Sequence, residues 1–74
     1  MTTDELRAYF EAKGVSQHEL ARFIDISTRT VRMWFAGKAQ WPYLFELAVQ
    51  ADIFDVEHHP EDRVKNRLIL RKRQ

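Results

Sequence analysis

The chain contains no cysteine. That absence excludes a disulfide scaffold and any zinc site built on thiolates. Glycine and proline are scarce, with two of each in 74 residues. The chain therefore carries no glycine-rich loop of the kind that cradles phosphates. No apolar run approaches the roughly 20 residues needed to span a bilayer. The start, M-T-T-D-E-L-R-A-Y, lacks a basic segment followed by an apolar one, so no secretory leader is expected. These absences describe a soluble cytoplasmic protein of one small domain, held by helix packing and, at this size, often by a partner subunit. No Ser, His and acid set falls on separate elements that would converge, so an enzyme is not expected. The cluster Asp55, Glu57, His58 and His59 is a poor ligand set, because adjacent histidines rarely chelate one ion. No metal, cofactor or small-molecule ligand is expected.

Charge is present but segregated. The net charge is +1. Residues 42–62 contain six acids and no Lys or Arg, whereas residues 63–74 contain six bases and no acid. Residues 27–41 carry Arg29, Arg32 and Lys38 with no acid, and residues 1–26 have a small acidic excess. Binding to a polyanion depends on local potential, so the two basic blocks are candidate phosphate contacts. The terminal block reads equally well as a solvated tail.

Hydrophobic spacing and capping signals predict helices throughout. The first runs from about Asp4 to Lys13, with Leu6 and Phe10 facing a core and Thr2 or Thr3 capping its start. Glu5 stands three residues after Thr2, as in a capping box. The second starts at Ser16, where Ser16 and Glu19 form an S-x-x-E box, and Leu20, Phe23 and Ile24 supply the apolar face. The third starts at Ser27, another good N-cap. Val31, Trp34 and Phe35 point inward at i, i+3, i+4 spacing, and Gly37 ends it. Pro42 opens a fourth, strongly apolar run from Tyr43 to Phe54. Pro60 opens a last segment in which Val64 and Leu68 are spaced i, i+4. Early acids and late bases favour a fifth helix there, while Leu68, Ile69 and Leu70 also suit a short strand.

Residues 16–37 carry the functional signal. Two short helices are joined by a three-residue turn. Ala21 is small where the helices approach, Asp25 stands where the first must end in a left-handed conformation, and Ile26 plugs the gap. The S-Q-x-E-L-A opening and T-V-x-x-W-x-x-G ending, with Gln17, Leu20, Ala21, Ile24, Ile26, Ser27, Val31, Trp34 and Gly37, closely resemble the helix-turn-helix of the phage lambda repressor and Cro superfamily, the XRE family. The resemblance covers residues 3–54. Asp25 departs from its usual glycine, and residues 55–74 match no motif of the family. It implies an all-α, four- to five-helix DNA-binding domain, commonly a homodimer regulating transcription. Small members include Cro-like phage repressors, anti-CRISPR-associated repressors and antitoxins. Residues 1–57 form this unit, and residues 58–74 add a basic helix or tail to the same domain.

In such a motif the third helix enters the major groove. Thr28, Arg29, Arg32 and Met33 are the candidate base readers. Arg can donate two hydrogen bonds to guanine, and Met33 suits a thymine methyl. One of the two arginines could instead hold a phosphate. Gln17, Ser27, Lys38, Gln40 and Tyr43 are candidate phosphate contacts, which set register without reading sequence. Ser16 and Ser27 are also explained by helix capping. The expected partner is double-stranded DNA, read as an inverted repeat by a homodimer whose interface includes Trp41, Phe54, Val64 and Leu68. Two other readings stay open: a protein-interaction module whose acidic stretch meets a basic partner, and a low-specificity DNA binder dominated by the basic C-terminal block.

Overall fold

The computed structural model describes residues 1–58 and 66–71. Four helices, α1 (Thr3–Ala12), α2 (Gln17–Ile24), α3 (Thr28–Phe35) and α4 (Tyr43–Gln50), precede two strands, β1 (Phe54–His58) and β2 (Asn66–Leu70). The strands pair antiparallel, with Phe54 opposite Leu70, Val56 opposite Leu68 and His58 opposite Asn66.

The helices start as their sequences dictate. Thr2 accepts from the Glu5 N–H at 3.1 Å, and the Glu5 carboxylate accepts from the Thr2 N–H at 2.8 Å, a complete capping box. Those bonds to Thr2 hold the Glu5 carboxyl below its ordinary pKa. Ser16 and Ser27 cap α2 and α3 by accepting from the Glu19 and Thr30 N–H groups.

All four helices stop in one way. A left-handed residue follows each: Gly14, Asp25, Gly37 and Asp52, with φ of 69°, 58°, 74° and 53°. In each case its N–H bonds the carbonyl three residues back, and the next N–H reaches the carbonyl five back. These paired bonds are the Schellman motif, which satisfies carbonyls left open at a helix end. Two stops use glycine, which has no Cβ penalty in this conformation, and two use aspartate, which tolerates it better than most residues.

The core is largely aromatic. Phe10 is buried at its centre, with ring centroids 4.9 Å from Tyr9, 5.4 Å from Phe54, 6.0 Å from Phe45 and 6.1 Å from Phe35. Trp34 lies 5.1 Å from Phe45, and Phe23 lies 6.0 Å from Phe54. Leu6, Val15, Leu20, Ala21, Val31, Val49 and Leu68 complete the buried set.

Two sequence expectations are corrected. The fourth helix does not run to Phe54. It ends at Gln50, and Asp52 turns the chain so that Phe54 enters the aromatic cluster from a strand. The C-terminal segment does not close as a fifth helix, because residues 66–70 are strand β2. Charge at helix ends contributes only tenths of a kcal/mol, up to about 1. Pairing β2 with β1 brings Leu68 opposite Val56 and buries Leu68, a larger gain of about 1.5–3 kcal/mol per buried side chain. The expected helix start at Pro60 and the residue Val64 lie outside the described residues.

Candidate nucleic-acid interface

The turn between α2 and α3 is built as its residues require. Asp25 takes φ 58° and ψ 50°, and the Ile26 N–H returns to the Ala21 carbonyl at 3.0 Å. Ala21 is 2 % exposed, which lets the two helices approach, and Ile26 packs against the core. Ser27 then starts α3, accepting from the Thr30 N–H at 3.1 Å while its hydroxyl also pairs with the Thr30 hydroxyl at 2.8 Å.

Helix α3 has two chemically distinct sides. Val31, Trp34 and Phe35 are buried. Arg29 and Arg32 are exposed, and Thr28 and Met33 are half-buried. Arg29, Arg32 and Met33 are neighbours on successive turns, as are Thr28 and Arg32, so these four form one surface. Both arginines carry their charge without a carboxylate anywhere in residues 27–41.

The phosphate-contact candidates lie around this helix in sequence. Gln17 is the first residue of α2 and is half-buried. Ser27 is the N-cap of α3, and its hydroxyl already serves the helix start. Lys38 and Gln40 are exposed in the loop after α3, and Tyr43, 69 % exposed, begins α4. Gly37 and Lys38 bond back to the Trp34 and Met33 carbonyls, so the loop leaves α3 in a fixed direction. Trp41 anchors its far end, donating its indole N–H to Glu46 Oε1 at 3.0 Å.

The expected dimer residues fare differently. Phe54 and Leu68 are 3 % and 2 % exposed in the core of one chain, so neither can supply an interface. Their apolar character reflects the hairpin's packing beneath the helices, where Leu68 sits with Phe54 in one core cluster. Trp41 is half-buried against Glu46 rather than free.

Two relevant residues escaped the sequence reading. His18 Nδ1 lies 3.2 Å from Thr28 Oγ1, bridging the starts of α2 and α3. Glu46 holds Trp41 and thereby the loop. His18 adjoins the predicted contact Gln17, a signal that was available. Glu46 read simply as one of the acids of residues 42–62. Among the described residues no three His, Asp or Glu side chains gather where they could hold a metal ion. No helix among them is long and apolar enough to cross a membrane.

Two capped helices, a left-handed tight turn and a second helix with an outward basic side define a helix-turn-helix DNA-binding domain. A family model described as helix-turn-helix matches residues 6–58. The chain belongs to that family, the XRE or lambda repressor-like group, which binds DNA and is not an enzyme family. No curated protein and no solved structure matches the chain.

Proposed function

We propose that this protein is a sequence-specific transcriptional repressor, in which α3 reads base edges in the major groove of double-stranded DNA. The observation that carries this reading is the placement of Arg29 and Arg32, exposed on α3 opposite the buried Val31, Trp34 and Phe35. Each guanidinium can fork onto a guanine, a contact that discriminates by about 1–3 kcal/mol against the wrong base. Thr28 and Met33 complete the reading surface. Gln17, Lys38, Gln40 and Tyr43 fix the register on phosphates, joined by Ser27 when Thr30 supplies the proton of their shared hydrogen bond. The work is done where the DNA is, in the cytoplasm of a bacterial or phage-infected cell.

One α3 reads only a few base pairs, and two-fold pairing doubles the site. With Phe54 and Leu68 in the core, the outer side of α4 takes over as the dimer contact. Leu44 is 78 % exposed and Leu47 is 40 % exposed, one turn apart. Exposed apolar side chains of this size on a small domain suit a second copy of the chain, which brings its own α4 to the same place.

Selection of bound duplexes from a random library, at near-physiological salt, tests the reading. An enriched inverted repeat is expected, its half-sites about one helical turn apart. Arg29→Ala with Arg32→Ala abolishes the enrichment while helical content stays. Lys38→Ala weakens all sequences alike and lowers the salt slope of log K by about 0.9 per copy, or about 1.8 for the bound dimer. Folded protein that enriches no sequence overturns the proposal, and binding equally tight to every duplex points to the low-specificity alternative.

A further inference from the structure

The hydroxyls at the start of α3 are divided between two tasks. Those of Ser27 and Thr30 are committed to each other and to the helix cap. The Thr28 hydroxyl takes no part in that cap, and its described partner lies on the other helix, His18 Nδ1 at 3.2 Å. His18 is exposed and Thr28 is half-buried. This contact joins the second residue of α2 to the first residue of α3.

A threonine hydroxyl has one proton and two acceptor lone pairs. It meets a base edge either as a donor, suited to guanine O6 and N7, adenine N7 or thymine O4, or as an acceptor, suited to adenine N6 and cytosine N4. A free hydroxyl rotates between the two and discriminates poorly. An imidazole nitrogen on the same hydroxyl couples that rotation to the imidazole tautomer, so the hydroxyl no longer turns independently. A bare Nδ1 takes the threonine proton and leaves only lone pairs for DNA. A protonated Nδ1 fills a lone pair and leaves the threonine proton outward.

We propose that His18 is a positioning residue for Thr28, orienting its hydroxyl so that Thr28 discriminates between bases. This rests on the DNA-binding reading above. His18 reads no base itself; it acts on base choice through Thr28.

The test compares duplex selections for wild type, Thr28→Val, His18→Ala, His18→Asn and the double variant Thr28→Val with His18→Ala. Thr28→Val keeps the branched shape, removes the hydroxyl and identifies the base pair that Thr28 reads as the one whose preference disappears. His18→Ala is expected to reduce preference at that same pair by roughly 3- to 10-fold, the worth of one hydrogen bond, with the arginine-read pairs unchanged. In the Thr28→Val background it has no further effect on preference. His18→Asn, which restores a polar group near the position of Nδ1, recovers part of the preference. Thermal unfolding midpoints of the single His18 variants stay within a few degrees of wild type, because His18 is a surface residue.

A uniform loss of affinity with preference intact makes His18 a phosphate contact and overturns the proposal. So does an unchanged preference in His18→Ala, or a Thr28→Val variant that alters no base pair. Failure of the DNA reading is distinct: there the wild type itself enriches no sequence, and both proposals fall together.

Discussion

The hydroxyl of Tyr9 donates to Oδ1 of Asp52 at 2.6 Å, joining residues 43 apart in the chain. Asp52 is also the left-handed stop of α4. Its carboxylate further holds the Lys13 ammonium at 3.3 Å and the Arg71 guanidinium at 2.6 Å. The Arg71 N–H bonds the Ile53 carbonyl at 2.7 Å, and the Lys13 ammonium stands 4.8 Å over the Tyr9 ring. One side chain thus ties the end of α1, the end of α4 and the exit of the hairpin.

That hub makes stability depend on pH at both extremes. The Tyr9 hydrogen bond, then Lys13 and Arg71, hold the Asp52 carboxyl below its ordinary 3.8. A depressed folded-state value means stability that is present above the unfolded pKa and lost as pH falls through the folded one. Burial, then the Asp52 hydrogen bond and charge, push the Tyr9 phenol above its ordinary 10.0. The unfolded chain ionises first there, so stability present below that pH is lost above it. Asp52→Asn keeps a residue suited to the left-handed turn and removes the charge. It is expected to lower the unfolding midpoint at neutral pH by roughly 3–5 °C and to flatten the loss of stability on the acid side. Tyr9→Phe flattens both limbs. Thermal unfolding followed across pH for the three proteins checks this, and parallel acid limbs for wild type and Asp52→Asn remove Asp52 as the source.

Asp25 is a functional turn residue in a conformation that favours glycine. Asp25→Gly is expected to raise stability by about 0.5 kcal/mol, the relief of the left-handed strain less the added freedom of the unfolded chain. Asp25→Val, branched at Cβ, is expected to lower it by more than about 1 kcal/mol. Urea unfolding measures both. Equal stability in all three proteins would mean that the turn is not confined to φ near +58° in solution.

The legible part of the sequence was the part with local causes. Thr2, Ser16 and Ser27 cap helices through atoms three residues away, and Asp25 and Gly37 stop them through bonds three and five residues back. Such signals sit wholly within a short window. The inward side of α3 was readable for the same reason, since Val31, Trp34 and Phe35 recur at the helical period. The hairpin was not. Residues 66–70 become a strand because β1, whose paired residues lie 8 to 16 positions earlier, offers a partner in register, and Leu68 is buried by residues distant in the chain. An i, i+4 pair and favourable end charges gave the helix reading a local basis that a nonlocal pairing overrode. Asp52 looked like one more acid within residues 42–62, although it ends α4 and holds Tyr9. His18 and Thr28 meet only once the turn is folded.

The hairpin is part of the core rather than an appendage, and its removal should show this. Leu68, 2 % exposed, shares the core cluster with Phe54, Val49 and Leu20. Leu68→Ala is expected to cost about 2–4 kcal/mol, a large share of the stability of so short a chain. Helical circular dichroism and tryptophan fluorescence, which reports Trp34 and Trp41, should melt together at the lower midpoint. If helical signal persists unchanged while the substitution is silent, the helices are stable without the strands, and the described packing of Leu68 does not hold in solution.

The outer side of α4 is the remaining place for self-association. Leu44 and Leu47 are exposed one turn apart, whereas Phe45 and Val49 on the same helix are 8 % and 3 % exposed in the core. Substituting the outer pair therefore leaves the interior intact, and surface changes of this kind stay within about 0.5 kcal/mol of wild type. Leu44→Glu with Leu47→Glu places like charges on both sides of a two-fold contact, so association fails even where the fold survives. Sedimentation equilibrium is expected to show a dimer for wild type and a folded monomer for the variant. DNA carrying the full inverted repeat should then bind the variant more weakly, while a single half-site binds both proteins alike, because α3 is untouched. A variant that remains dimeric assigns the contact to another surface. A wild type that is monomeric at all concentrations, yet selects an inverted repeat, would mean that the two copies meet only on DNA.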